Sequence, residues 1–416
     1  MQRAKHRLDR RRFLKTSAAA GAGAAAFSIV PRNVLGQGQT PPSEVLRAGL
    51  VGCGGQGGED LRSYITGAGG QFQLVARCDV RFRDRADDEQ VFTDFRRLVE
   101  RKDIDVVSVA TPPGWHALPS IAAMEAGKDV LCEKPMTRFI AEGRAVADAE
   151  RRFGRVFHLG TAGRLSGSLR SEQALLTQKI MASGLLKDCK GVHIKRGGLK
   201  VRLWSGKVRY DVQEVPPNLD WDFYCGPAPF RPYNSHRVGG THRGYWDHEG
   251  GGLADMGQHH FAPQQSLYAK DATSPVEIEA HAPPAHPECC AMWGWVELTY
   301  ADGLTFVMDS GEWGEPYDRK KPRPVSLSDL SEEDQRKVLA MPDPERPLTF
   351  VEAVKQRKLS ANHAEAAHRS ATVLHLANIA IRTGRKIRYD PVKEEVIGDE
   401  EANRLVYQPM RAPWRL

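Results

Sequence analysis

Val45–Gly58 reads V-L-R-A-G-L-V-G-C-G-G-Q-G-G, and Gln71–Asp79 reads Q-F-Q-L-V-A-R-C-D. Val45 to Val51 is a short apolar run of strand length, and Phe72 to Cys78 is a second. Between them, Gly52, Gly54 and Gly57 fill the glycine places of G-x-G-x-x-G. The first lets the chain turn tightly, the second lets backbone approach a pyrophosphate, and the third lets a helix pack close to its strand. A helix opening near Gln56 offers free N–H groups to phosphate oxygens. Asp79 lies 22 residues past Gly57, where a carboxylate accepts the ribose hydroxyls of a nicotinamide adenine dinucleotide. That acid favours NAD; Arg81, Arg83 and Arg85 leave NADP open. Strand, turn, helix, strand and acid arrive in the order of a doubly wound α/β domain.

Downstream, Phe92–Glu100 reads as a helix and Ile104–Ala110 as a β-branched central parallel strand. Thr111, Pro112 and His116 follow that strand and are expected to border the cofactor, because ligands of such sheets lie at the carboxyl ends of strands. Ala117–Ala126 is a helix ended by Gly127. Asp129–Cys132 is the next strand, with Glu133, Lys134 and Pro135 at its carboxyl end. Thr137 is expected to cap a helix running to Arg152, and Val156–Leu159 closes the domain near Gly160.

The pattern then changes. Gln173–Ala182 reads as a helix, Gly191–Lys195 and Val201–Leu203 as strands, and Pro216–Asn234 as a long aromatic loop. Ala291–Tyr300 and Leu304–Met308 alternate as a hairpin turning at Asp302-Gly303. Arg319–Pro347 reads as a charged surface excursion and Asn362–Ile381 as a long helix stopped at Gly384. This implies a second α+β domain over 161–416 with a mostly antiparallel open sheet, after a first domain over 45–160.

Length and charge bound the partners. The chain has 416 residues and a net charge of +7, with acids and bases interspersed and no aromatic-basic stripe, so nucleic acid is not expected. The basic run Met1–Lys15, followed by small apolar residues to Val30, has the layout of an export signal. Arg10-Arg11 with Phe13, Leu14 and Lys15 resembles the twin-arginine signal. The expectation is a signal over 1–36, a linker over 37–44, engagement of the twin-arginine machinery and a periplasmic location. That route carries folded, cofactor-loaded proteins. Cys53, Cys78, Cys132, Cys189, Cys225, Cys289 and Cys290 are odd in number and lack C-x-x-C; they read as small buried hydrophobes.

Lys134 beside a cofactor can hold a substrate oxygen and stabilise its negative charge during hydride transfer. Asp255 and His259 are four apart, on one face of a helix following Gly250-Gly251-Gly252. The imidazole can take a hydroxyl proton and the carboxylate can orient it. With His260, His242 and His248 near, oxygen and nitrogen ligands are available, yet no H-E-x-x-H occurs and no metal is expected. Trp221, Tyr224, Phe230, Tyr233, Tyr245 and Trp246 suit the apolar faces of a sugar.

The glycine fingerprint, the Thr111–His116 loop, Glu133-Lys134-Pro135 and G-G-G-x-x-D-x-G-x-H over Gly250–His259 together resemble the Gfo/Idh/MocA oxidoreductases. The resemblance covers Val45 to Leu416. It implies a Rossmann domain, a second domain whose sheet commonly forms subunit contacts, and hence a homo-oligomer. It implies tightly held NAD and a sugar, glycoside or cyclitol as substrate. By that resemblance Lys134, His259 and Asp255 are catalytic. Gly52, Gly54, Gly55, Gln56, Gly57, Asp79, Thr111, Pro112, His116 and Glu133 hold the cofactor, and Arg164, Tyr245 and Trp246 join the three catalytic residues around the substrate. The chain departs from the family by Ala262-Pro263, where Asp is common. Two rivals remain open: an NAD-dependent glycosidase working through transient oxidation at C3 and elimination, and a non-catalytic carbohydrate-binding relative.

Overall fold

The computed structural model describes residues 44–60, 71–82, 90–186, 191–195, 202–319 and 322–416. The export signal, nearly all of the linker, Arg83, Arg85, Cys189 and Val201 lie outside the described residues.

The first domain is a parallel sheet of β1 (Leu46–Val51), β2 (Phe72–Cys78), β3 (Val91–Phe92), β4 (Val106–Val109), β5 (Asp129–Glu133) and β6 (Phe157–Gly160), in spatial order β3-β2-β1-β4-β5-β6. Every residue of β4 and β5 is buried, the signature of a strand covered on both faces. The covering helices are α1 (Gly55–Asp60), α2 (Phe95–Val99), α3 (Ala117–Glu125) and α4 (Ile140–Phe153). The order reverses between β1 and β4, so the loops after those strands flank a crevice at their carboxyl ends.

Thr137 does not cap α4. Its hydroxyl donates to the Phe139 carbonyl at 3.0 Å, and Glu142 instead accepts the Arg138 and Phe139 N–H groups at 2.9 and 3.2 Å. A carboxylate one turn inside the helix reaches back over an extended Phe139 (φ −133°) and satisfies the free donors better than a hydroxyl outside it.

The second domain adds α5 (Glu172–Ser183), α6 (Trp221–Cys225), α7 (Gly251–Leu267), α8 (Glu332–Ala340), α9 (Phe350–Gln356) and α10 (Ala364–Thr383). Its sheet holds β7 (Val192–Lys195), β8 (Glu277–His281), β9 (Trp295–Thr299), β10 (Thr305–Asp309), β11 (Ile387–Asp390) and β12 (Glu395–Val396), in order β12-β11-β8-β9-β10-β7. All pairings are antiparallel except β10 with β7. The expected hairpin is β9–β10, with Gly303 at φ +81° in its turn. Arg202–Trp204 forms a turn rather than the end of a strand. Arg319–Pro347 is no mere surface excursion: it contains α8, and Val325, Leu330 and Val338 enter the main core of this domain.

Helix α10 ties the domains together. Ala364, Ala367 and Ala371 pack into the first core, and Leu374, Ala377 and Ile381 into the second. Small residues at helical spacing let it approach α4, while larger ones two turns on fill the space over the sheet. The carboxyl terminus returns to the first domain: Trp414 meets Trp115 edge-on at 4.7 Å, and Trp115 stacks on Phe223 at 5.2 Å. Among the described residues no helix is long and apolar enough to cross a membrane.

Burial sets a pH response. It pushes His116 and His158 down to about 4, and His248 and His375 down to about 3. These bases are neutral when folded, so their contribution is present above the ordinary imidazole value and is lost as pH falls toward those lower values. Burial pushes Glu142 and Glu150 up to about 7, and their contribution runs the other way, fading as pH rises toward 7. These four histidines, with His259 shifted the same way, outnumber the two carboxyls, so stability falls as pH drops from about 6.5 to about 4.5. Urea midpoints across that range should show the fall, and His375→Gln should make it shallower by about one proton's slope, about 1.4 kcal/mol per pH unit.

Candidate active site

A cleft of about 550 Å³ lies where the carboxyl ends of β1, β4 and β5 face the second domain. Its floor is the glycine turn. Gly52 has φ +88°, and a Cβ there would sit 2.6 Å from the Ala110 and Thr111 backbone. A Cβ on Gly57 would sit 1.9 Å from the Gly52 carbonyl oxygen. Gly54 faces Arg81, and Gly55 has open space around its missing side chain. Gly52, Gly54, Gly55 and Gln56 line the cleft, whereas Gly57 lies behind them where helix meets strand.

Asp79 directly follows β2 and is buried. Its carboxylate accepts the Cys53 N–H at 2.7 Å, the Arg81 N–H at 3.0 Å and the Arg81 guanidinium at 3.1 Å. The acid that reads as a ribose partner is thus held in place by the glycine turn itself. Thr111 and Pro112 line the same cleft, and the buried Thr111 hydroxyl has no hydrogen-bond partner among the described residues. Backbone approach at Gly52, a buried carboxylate across from it and an unspent hydroxyl fit a dinucleotide.

His116 is placed differently from the expectation. It is fully buried, and its ring nitrogens face the Pro135 carbonyl at 2.8 Å and the Thr111 carbonyl at 2.7 Å. It clamps the loops after β4 and β5 to each other and does not line the cleft.

Glu133 and Lys134 line the wall next to this floor. Glu133 accepts the Lys134 N–H at 3.2 Å. Across the domain boundary, Lys134 Nζ donates to Asp255 Oδ1 at 2.9 Å, with the lysine side chain 10% and the aspartate 1% exposed. Arg243 Nε donates to the same oxygen at 2.8 Å. Burial disfavours the charge on Asp255, but Lys134 and Arg243 outweigh it and hold the carboxyl below the usual range. Asp255 Oδ2 is buried without a partner among the described residues, which leaves it for a hydroxyl donor.

His259 lies one turn along α7 from Asp255 but, unlike Asp255, is not among the residues that line the cleft. Its ring makes no hydrogen bond among the described residues. Burial, and then the charge of Lys134, push it down to about 4, so it is neutral at physiological pH. Pro263 sits within α7 and removes the N–H that the His259 carbonyl would otherwise receive. Gly163 fits against that step, where a Cβ would lie 2.9 Å from Pro263 Cγ. Gln258 locks the helix in place: its amide donates to the Ala367 carbonyl at 3.0 Å and to Ser370 at 2.8 Å, and accepts the Met136 N–H at 2.9 Å.

Three expected substrate residues are spent elsewhere. Arg164 donates to the Ala361 carbonyl at 2.9 Å, to the Ala262 carbonyl at 3.0 Å and to Asp271, so it staples the turn before α5 to α7. Tyr245 is fully buried under the Arg237 guanidinium, and its hydroxyl meets His236 Nδ1 at 2.8 Å. The Trp246 indole donates to the His286 carbonyl at 2.9 Å. None of the three lines the cleft. Its aromatic wall is Phe223, Tyr224 and Tyr233; Trp221 packs behind Tyr224, and Phe230 faces solvent. Arg243, Glu249 and Phe223 line the cleft and were not singled out by sequence, although each stands within a few residues of a motif that was. Among the described residues no three His, Cys, Asp or Glu side chains converge as metal ligands.

The fold and cleft define a dinucleotide-binding oxidoreductase of two domains. Two family models match: "Oxidoreductase family, NAD-binding Rossmann fold" over residues 46–161, and "Oxidoreductase family, C-terminal alpha/beta domain" over 172–416. The chain belongs to the Gfo/Idh/MocA family. A "Glycosyl hydrolase family 109 protein" of Shewanella baltica is 31% identical over 173 residues, 35% of this chain and 38% of the relative. An "Alpha-N-acetylgalactosaminidase" of Shewanella oneidensis is 29% identical over the same extent. The chain spans little more than a third of the length of these curated relatives. The WlbA dehydrogenase of Bordetella pertussis, solved with NADH and UDP-GlcNAcA, shares the fold at 15% identity and a TM-score of 0.52, covering 83% of this chain and 99% of that one.

Proposed function

We propose that this chain oxidises a hydroxyl of a sugar, glycoside or cyclitol, passing hydride to a tightly held nicotinamide dinucleotide, NAD in preference to NADP. The observation that carries the reading is the Lys134–Asp255 pair, which joins the strand end of the cofactor domain to the helix of the second domain inside one cleft. When bound, the nicotinamide supplies the hydride acceptor. Lys134 holds the reacting oxygen and stabilises negative charge on it. Asp255 Oδ2 accepts a hydroxyl of the substrate and fixes its orientation. His259, neutral and without a hydrogen bond among the described residues, takes the hydroxyl proton as the C–H bond breaks. The Asp79 carboxylate supports NAD.

A second reading is glycoside cleavage through transient oxidation, favoured by the names of the two curated relatives. The proposal extends to export by the twin-arginine route to the periplasm, supported by the Arg10-Arg11 signal layout, and to a homo-oligomeric state.

The test uses protein purified after native expression. Denaturation and mass spectrometry should release NAD(H), and adding sugars and glycosides to intact protein should change nicotinamide absorbance. Release of free sugar from a glycoside with no net NADH would select the second reading. A protein that neither contains nor binds nucleotide would overturn both.

A further inference from the structure

Behind the Lys134–Asp255 pair lies a carboxyl that the mechanism above does not use. Glu249 is 1% exposed, sits in the loop before α7 and lines the cleft. Neither of its oxygens has an aligned hydrogen-bond donor among the described residues. Two groups face it: His242 Nε2 at 3.2 Å and Arg243 Nε at 3.8 Å from Oε2. His242 turns its other ring nitrogen to the Gly239 carbonyl. Arg243 Nε is 2.8 Å from Asp255, so one guanidinium stands between two carboxyls and is committed to Asp255.

We propose that Glu249 is a positioning residue for the Lys134–Asp255 pair, acting through Arg243 and His242. The inference deepens the hydride-transfer reading and rests on it for its effect on turnover, though not for its effect on Arg243.

The argument is a competition for one cation. A neutral Glu249 leaves Arg243 on Asp255, where it and Lys134 crowd one oxygen and turn the other toward the cleft. An ionised Glu249 is a rival anion, its Oε2 3.8 Å from Arg243 Nε. Drawing Arg243 over would remove one of the two donors that fix Asp255. Burial first, and the Asp255 charge second, push the Glu249 carboxyl up, which favours its neutral form and with it the productive arrangement. The titratable and charged neighbours of Glu249 are Asp255, His242, Arg243, Arg138 and Cys290, with His248 and His116 behind His242. The proton that moves in this step is the one Glu249 releases to solvent as pH rises.

The test compares wild type with Glu249→Gln, which keeps the shape and cannot ionise. In the sugar-free holoprotein, the Arg243 Nε–H resonance, assigned with Arg243→Lys, should move with pH in wild type and stay fixed in Glu249→Gln. With a turned-over sugar, wild-type kcat/KM should fall above that midpoint by about tenfold per pH unit, the slope of one proton. Glu249→Gln should keep the neutral value and lose that limb. His242→Phe, which replaces the polar ring 3.2 Å from Glu249 Oε2 with an apolar one, should shift the wild-type midpoint to higher pH and serves if Glu249→Gln does not fold. An Arg243 resonance that titrates alike in wild type and Glu249→Gln, or an unshifted midpoint in His242→Phe, overturns the proposal. Absence of any sugar-dependent nicotinamide signal in wild type would sink the hydride reading while leaving the resonance result standing.

Discussion

Replacing Lys134 with Met should lower kcat/KM about a thousandfold on any sugar the wild type oxidises, while leaving bound nucleotide in place. The side chains are close in length, so little packing changes. What disappears is the cation that touches both the cleft and Asp255 Oδ1 at 2.9 Å. Arg243 still neutralises the aspartate from the other side, which limits the loss of folding stability that a wholly unpaired buried carboxylate would bring. The nucleotide cradle of Gly52, Gly54 and Asp79 has its own hydrogen bonds and does not depend on the lysine. Lys134→Arg should not rescue, because the planar guanidinium is larger than the ammonium and would meet Arg243 at the same oxygen. Steady-state rates, nucleotide content by mass spectrometry and a thermal melt separate the outcomes. A Lys134→Met protein within tenfold of wild type would remove the lysine from the chemistry.

The first domain was legible because each of its signals is local. Strands buried on both faces are runs of apolar residues, and the glycine turn, the helix start and Asp79 fall within one stretch. The hairpin β9–β10 was legible for the same reason, through alternation and Asp302-Gly303. Strands β8, β11 and β12 were not. Glu277–His281 reads E-I-E-A-H, half polar, and becomes a strand only because β9 and β11 flank it. Leu330 and Val338 looked like lone apolar residues in a charged segment, yet the main core closes over them.

In the site, residue type singled out Lys134 and Asp255, but it cannot reveal a partner. Arg164 is consumed by Asp271, 107 residues away, and Tyr245 by His236 and Arg237. Conversely, Glu249 in a glycine-rich loop looks solvated and is buried. A charged residue reads as functional or structural only once its counter-charge is located in space.

Gly57→Ala should abolish nucleotide retention, whereas Gly55→Ala two residues earlier should leave it intact. At Gly57 the added Cβ would fall 1.9 Å from the Gly52 carbonyl oxygen, a backbone atom that cannot rotate aside. Relief requires the start of α1 to move off the end of β1, and overpacking of this kind costs about 1–3 kcal/mol in stability. The larger effect is on binding. Moving α1 carries its free N–H groups away from the pyrophosphate and pulls Cys53 from Asp79, whose 2.7 Å bond positions the ribose acceptor. Retention should fall by at least about a hundredfold if two or more of those charge-assisted hydrogen bonds are lost, each worth about 1.5–3 kcal/mol. At Gly55 nothing lies within 4 Å of the added atom, and alanine suits the first turn of a helix better than glycine. Nucleotide content of the purified variants, isothermal titration with NAD and their melting temperatures read the contrast. Equal nucleotide content in the two variants would show that close helix–strand approach at Gly57 does not govern binding, and with it the reading of this turn as the cofactor cradle would fall.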